Sequence, residues 1–216
     1  MPSMAVLHRA ELRPTKLELL ASWLPRCAWY DGQGGPERVA SYRFDDPAGA
    51  VGIETLLVRA GDGPVVQAPL TYRASPLVGA EAFLIGTTDH SVLGERWVYD
   101  ACGDPVYAQT LATTILTGAA GAEEFVDYDG KLVLRESTTA VRGSGTPDPP
   151  LPSLEETVRV QDGDPTMVFA DGLELAIVRV LGAADGNEPL RLTGTWEGQA
   201  TPLLLAYARV ASETPQ

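Results

Sequence analysis

Cysteine, histidine and lysine are scarce here: 216 residues include two cysteines, two histidines and two lysines, against 14 arginines. Two thiols, Cys27 and Cys102, make neither a disulfide framework nor a cysteine-built metal cluster, so both are expected reduced and buried. Long apolar runs are absent too. No stretch approaches the roughly 20 residues of a membrane span, and "MPSMAVLHRAELRP" has no cationic segment leading into the apolar core of an export signal. The expectation is a cytoplasmic protein. Positive charge is in deficit, 16 basic to 29 acidic residues for a net charge of -13, which repels phosphate backbones and anionic lipid. Nucleic acid and membrane surfaces are therefore poor partners.

What is present is an apolar content of 44%, enough for a folded core, arranged with two different periods. "RPTKLELLASWLP" reads as a short amphipathic helix: Leu17, Leu20, Ala21 and Leu24 recur at helical spacing, Pro14 and Thr15 begin it and Pro25 stops it. "RVASYRF", "VGIETLLVRA" and "PVVQAPLTYRA" are β-branched and aromatic runs between Asp, Pro and Gly breaks. They predict antiparallel strands on which that helix packs. "ERWVYDA" is strand-like. "DPVYAQTLATTILTG" then predicts a helix capped by Asp104, with Pro105 in its first turn and Gly118 closing it. Beyond Gly121 every pattern is strand-like: "KLVLRESTTAVRG", "EETVRVQD", "TMVFAD", "LELAIVRVL", "RLTGTWEG" and "PLLLAYARV". The proline-rich loop 143–153 is expected as a surface excursion.

Few residues suggest chemistry. His90, Ser91 and Asp100 contain the side chains of a hydrolase triad, but "TDHSVLG" lacks the strained G-x-S-x-G elbow that exposes a nucleophilic serine. His90 reads instead as a loop residue with local hydrogen bonds, and His8 as a strand histidine. "DGQGG", "DYDGK" and "QDGDP" suit turns; none has the strand-to-helix context of a phosphate loop or the distal glutamate of a calcium loop. Trp23, Trp29, Tyr30, Trp97, Tyr99 and Trp196 read mainly as core or interface aromatics. Trp196, Glu197 and Gln199 stand apart, because "TGTWEGQATP" places an aromatic and two polar groups at a hairpin tip. They are the candidate partner or ligand surface.

"SWLPRCAWYDGQGG" resembles the start of the maltokinase N-terminal cap domain, through Trp23, Leu24, Pro25, Trp29, Tyr30 and Gly32. "APLTYRA" and "VYDACGDP" resemble later elements of such caps in the same order, over roughly residues 5–120. The whole chain is similar to stand-alone cap-like proteins, some labelled 1,4-alpha-glucan branching protein. Branching would require a barrel of about 250 residues, for which 216 residues of this pattern have no room. "DPTMVFADGLELAIVRVL" resembles two strands of a kinase-type small lobe through Thr166, Val168, Phe169, Asp171, Leu173, Leu175 and Arg179. On that resemblance the phosphate-binding lysine falls on Ala176, and "GAADGNEP" is too short for the helix that carries its glutamate partner.

The expected fold is α+β: two consecutive antiparallel sheets, a cap-like domain over 1–120 with flanking helices, and a β-rich domain over 121–216 resembling a degenerate kinase small lobe. Neither kinase nor branching activity is expected, and no catalytic residue, cofactor or metal is assigned. The resemblance implies an accessory or regulatory protein of glycogen- or maltose-related metabolism, acting on a protein partner. A saccharide-binding module and an enzyme of another kind are the alternatives.

Overall fold

The computed structural model describes residues 4–7, 11–128, 131–135, 137–147, 158–170, 172–184 and 187–210. The chain is sheet-rich α+β with most strands antiparallel. The first six-stranded sheet runs β2 (Leu12–Arg13), β6 (Leu84–His90), β7 (Gly94–Asp100), β5 (Val66–Arg73), β4 (Gly52–Arg59), β3 (Glu37–Asp45). The second runs β10 (Thr139–Gly143), β14 (Arg191–Trp196), β15 (Gln199–Val210), β13 (Leu173–Ile177), β12 (Thr166–Ala170), β11 (Arg159–Gln161). A third sheet, which the sequence reading did not foresee, has three strands: β1 (Met4–Leu7) pairs in parallel with β8 (Glu123–Tyr128), which pairs antiparallel with β9 (Lys131–Arg135). Residues 4–7 thus join residues 123–128 and 131–135 in one sheet.

The first sheet is covered on both faces, which explains why β4 is buried almost without interruption rather than at alternate positions. On one face lies α1 (Lys16–Trp23), where Leu19, Leu20 and Leu24 pack on Leu56, Val58, Val66, Ala68, Leu70 and Val98. Thr15 caps α1 in a reciprocal capping box with Glu18. The helix differs from its sequence reading in one respect: Ala21 is exposed and Leu19 takes its place inside. The α-helix ends before Pro25, as expected, and the chain continues through a 3-10 turn, Leu24–Arg26.

The opposite face belongs to a core shared with the second sheet. Tyr42, Phe44, Ile53 and Leu57 meet Val168, Leu175, Ile177, Leu192 and Leu205 there, together with α2 (Pro105–Thr117). Asp104 caps α2 by accepting from Val106 N at 3.0 Å, and Gly118 ends it at φ 67°, as expected. The helix buries Tyr107, Ala108, Leu111, Ala112, Thr114, Ile115 and Leu116, a wide arc suited to a helix wedged between layers. Close approach by β10 requires glycine: a Cβ on Gly145 would lie 1.8 Å from Leu116 O, and one on Gly143 2.0 Å from Thr114 O.

Several smaller readings also meet the structure. His90 is the last residue of β6, paired with Gly94, rather than a loop residue; its Nδ1 accepts locally from Val92 N and Leu93 N. The strand read over "LELAIVRVL" stops at Ile177; Val178 N still donates to Leu205 O of β15, and from Arg179 the chain turns to β5. Tyr99 is buried and Trp97 half-buried on their strand. His8, Asp171, the centre of "DYDGK" and most of the 143–153 loop lie outside the described residues.

Candidate functional site

The junction between the two large sheets holds a buried set of hydrogen-bonded polar side chains. It is built from the segment 178–181, which bridges to the start of β5: Gln67 N donates to Arg179 O at 2.8 Å and Leu181 N to Val65 O at 2.9 Å. Gln67, fully buried, ties the same seam with its side chain. Its Nε2 donates to Val178 O and Leu205 O, each at 2.9 Å, while its Oε1 accepts from Tyr42 Oη at 2.8 Å.

Arg179 is the centre of this junction and is 0% exposed. Its Nη2 donates to Asp100 Oδ2 at 2.7 Å and to Cys102 Sγ at 3.1 Å, and its Nε to Thr166 Oγ1 at 2.8 Å. Its backbone N donates to Asp164 Oδ1 at 2.8 Å. The guanidinium lies 5.0 Å from the ring of Trp29 and 6.0 Å from that of Trp23, within cation-π reach. Trp29 Nε1 in turn donates to Asp162 Oδ1 at 3.1 Å. Only Nη1 is buried with no hydrogen-bond partner. Burial works against the guanidinium's charge, but the adjacent Asp100 carboxylate prevails and the pKa stands above the ordinary arginine value. Burial pushes the Cys27 thiol up to about 12 and the Cys102 thiol well above its ordinary value. Neither cysteine is poised as a thiolate nucleophile.

A second buried charge lies on the other face of the first sheet. Glu54, on β4, is bonded to Lys16, to Arg43 Nη2 at 3.1 Å and to Tyr72 Oη at 3.3 Å. Burial raises its pKa, yet Arg43 and Lys16 outweigh that and hold it below the ordinary value; burial lowers that of Lys16, against the attraction of Glu54. Lys16 also lines a cleft of about 1090 Å³ at the start of α1, together with Glu11, Arg13, Glu18, Arg38 and Leu56.

The candidate surface at Trp196, Glu197 and Gln199 is indeed the tip of the β14–β15 hairpin, with Gly198 at φ 81° in its turn. Trp196 is half-buried against the shared core, Glu197 is exposed, and Gln199 Nε2 donates to Thr201 O at 2.7 Å. No triad forms. His90 and Asp100 stand at opposite ends of the β6–β7 hairpin, about 20 Å apart at ~3.3 Å per residue along β7. Ser91 Oγ accepts from Glu11 N at 3.0 Å. Among the described residues no three His, Cys, Asp or Glu side chains are grouped to hold a metal, and no helix is long and apolar enough to cross a membrane.

Sequence reasoning missed the Arg179 junction and the Glu54 network, and "QDGDP" proves to be more than a turn because Asp162 and Asp164 both bond across the junction. A signal was available for two of these residues: Glu54 and Gln67 interrupt the apolar runs "VGIETLLV" and "PVVQAPL".

The tryptophans facing Arg179 belong to the segment that carried the family resemblance. Residues 23–104 match the maltokinase N-terminal cap domain family. That resemblance is borne out over this part of the chain, from the Trp-Leu-Pro element to the cap of α2. No curated protein matches the sequence.

Proposed function

We propose that the chain is a non-catalytic accessory or regulatory protein of glycogen- or maltose-related carbohydrate metabolism that works by associating with another protein. The observation that carries this reading is an exposed apolar strand: Leu132, Val133 and Leu134 of β9 are 44%, 42% and 55% exposed. Consecutive strand residues point to opposite faces, so neither face of β9 is covered there. Uncovered apolar strands of this kind suit protein association. The match of residues 23–104 to the maltokinase cap supports the metabolic setting. On the small-lobe resemblance, the position of the phosphate-binding lysine is Ala176, which is 0% exposed within β13, between Met167 and Tyr207 of the neighbouring strands, and this fits the non-catalytic part.

The test has two arms. Thermal unfolding is followed with ATP–Mg²⁺, maltose, maltooligosaccharides, glucosamine and glycogen, where a ligand at a hundred times its Kd adds about 2.7 kcal/mol. In parallel, a photo-crosslinking residue at Leu134 is used in the native cell. No shift, with crosslinks to an enzyme of saccharide metabolism, is the expected pair of results. A shift with ATP would overturn the non-catalytic reading. A shift with a saccharide would move the function to sugar binding, with Trp196, Glu197 and Gln199 as the first surface to mutate.

A further inference from the structure

Resting on that association reading, we infer that the free edge of β9 takes up an extended strand from a partner protein, one with three apolar residues flanked on both sides by acidic residues. Among the described residues β9 pairs only with β8, and none of them meets the backbone N–H and C=O groups of its other edge. Strand addition to such an edge satisfies those groups and covers the side chains beside it.

The chemistry of the occupant follows from the sequence and register of β9. The strand reads Lys-Leu-Val-Leu-Arg, with Lys131 and Arg135 at its ends and no acidic residue. Its inner edge meets β8, which sets Glu124 opposite Arg135, Phe125 opposite Leu134, Val126 opposite Val133, Asp127 opposite Leu132 and Tyr128 opposite Lys131, so an acidic residue already faces the Arg135 end. Arg135 Nη1 reaches Glu124 Oε2 at 3.7 Å. A strand on the outer edge meets the same alternation of side chains, since each strand touches a neighbour on both sides. The fit is therefore to acidic-apolar-apolar-apolar-acidic.

A second copy of this chain fits poorly. An antiparallel β9–β9 pair centred on Val133 would place Lys131 opposite Arg135 twice, and a parallel in-register pair would oppose lysine to lysine and arginine to arginine. Like charges in directly opposed strand positions are destabilising. Two chains of net charge -13 also repel each other overall.

The test uses the full chain and two acetylated, amidated peptides at millimolar concentration: Thr-Glu-Val-Ile-Val-Glu-Thr and its charge-reversed counterpart Thr-Lys-Val-Ile-Val-Lys-Thr. Binding is read by fluorescence polarisation of labelled peptide, and its place by amide hydrogen exchange resolved to single residues. The acidic peptide should slow exchange within 132–135 and bind at least tenfold more tightly than the basic one. The double variant Leu132→Thr/Leu134→Thr keeps β propensity and should weaken that binding about tenfold. Should that variant unfold, Arg135→Gln replaces it and should narrow the preference between the two peptides. Saturating peptide without slowed exchange at β9 overturns the inference. Equal affinity for both peptides overturns the acidic partner, and sedimentation showing a dimer with protected β9 amides overturns it in favour of a second copy. If crosslinking from elsewhere on the surface still captures a partner, association survives while strand addition through β9 falls.

Discussion

Replacing Arg179 with methionine removes the charge at the centre of the junction and keeps most of the side-chain volume. What remains is a carboxylate on Asp100, only 11% exposed, that has lost its counter-ion. Breaking one member of a buried ion pair costs about 3–5 kcal/mol, and loss of the contacts with Trp29 and Trp23 adds roughly 0.5–2 kcal/mol. Set against a net stability of about 5–15 kcal/mol, this is a large fraction of the whole. At about 2–4 °C per kcal/mol for a chain of this size, Tm should fall by roughly 10 °C or more. Asp100→Asn alone should be similarly damaging, because it leaves the guanidinium buried without its main partner. The double variant Arg179→Met/Asp100→Asn should recover part of the loss, with a coupling energy of about 2–3 kcal/mol in a double-mutant cycle. Urea denaturation followed by tryptophan fluorescence reads both quantities. Strictly additive single-variant effects, or a cost below about 1 kcal/mol for Arg179→Met, would refute Arg179 as the junction's electrostatic anchor.

Gly145→Ala puts a Cβ where Leu116 O stands 1.8 Å away, so β10 must retreat from the end of α2; overpacking of this kind costs about 1–3 kcal/mol or more, and an unchanged urea midpoint would contradict the packing. Both thiols should resist iodoacetamide at pH 8 in the native protein and react in denaturant, since burial holds Cys27 up at about 12 and Cys102 well above its ordinary value; rapid native labelling would contradict the burial. The Glu54 network should stabilise fully above the ordinary glutamate value of 4.5, and that increment should disappear as pH falls through the lower folded value. Glu54→Gln should flatten this acid limb, and parallel wild-type and variant curves would show that Glu54 is not its source. A fragment of residues 1–120 should lack a cooperative transition by circular dichroism, because Tyr42, Phe44, Ile53 and Leu57 would lose the second sheet and Asp100 its cation; a sharp transition would establish it as an independent unit.

Local signals made much of this structure readable. Asp104-Pro105 and Gly118 frame α2 with a cap, a first-turn proline and a left-handed terminator, all within one stretch of chain. Thr15 and Glu18 do the same for the start of α1. The strands from β3 to β5 stand out because β-branched and aromatic residues are broken by Asp, Pro and Gly. β6 did not: "LIGTTDH" has the β-branched Ile85, Thr87 and Thr88, but Gly86, Asp89 and His90 break its apolar pattern and the strand is only half-buried. The parallel pairing of β1 with β8 joins residues more than a hundred positions apart, and nothing in either strand specifies that partner. The junction was hidden for the same reason. Arg179 and Asp100 are 79 residues apart, and nothing local to either names the other as its partner.

The cap motif takes on a different meaning once Arg179 is placed. Its most distinctive residues, Trp23 and Trp29, have the ring chemistry of a sugar platform, but their faces are directed to a guanidinium supplied from beyond residue 104, the last residue of the family match. The ring face turned to this buried cation is taken, so through these two residues the motif helps to seat the cap-type segment on its neighbour. Trp29 reinforces this by bonding to Asp162, in the turn between β11 and β12. Gln67 does likewise from β5, linking Tyr42 of the first sheet to Val178 and Leu205 of the second. Trp23 and Trp29, two of the residues that make the segment recognisable, are thus junction residues in this chain. Chemistry would have to reside elsewhere. Among the described residues the charged cleft at the start of α1 and strand β9 are two surfaces open to other molecules, and of these two β9 combines apolar exposure with a strand edge.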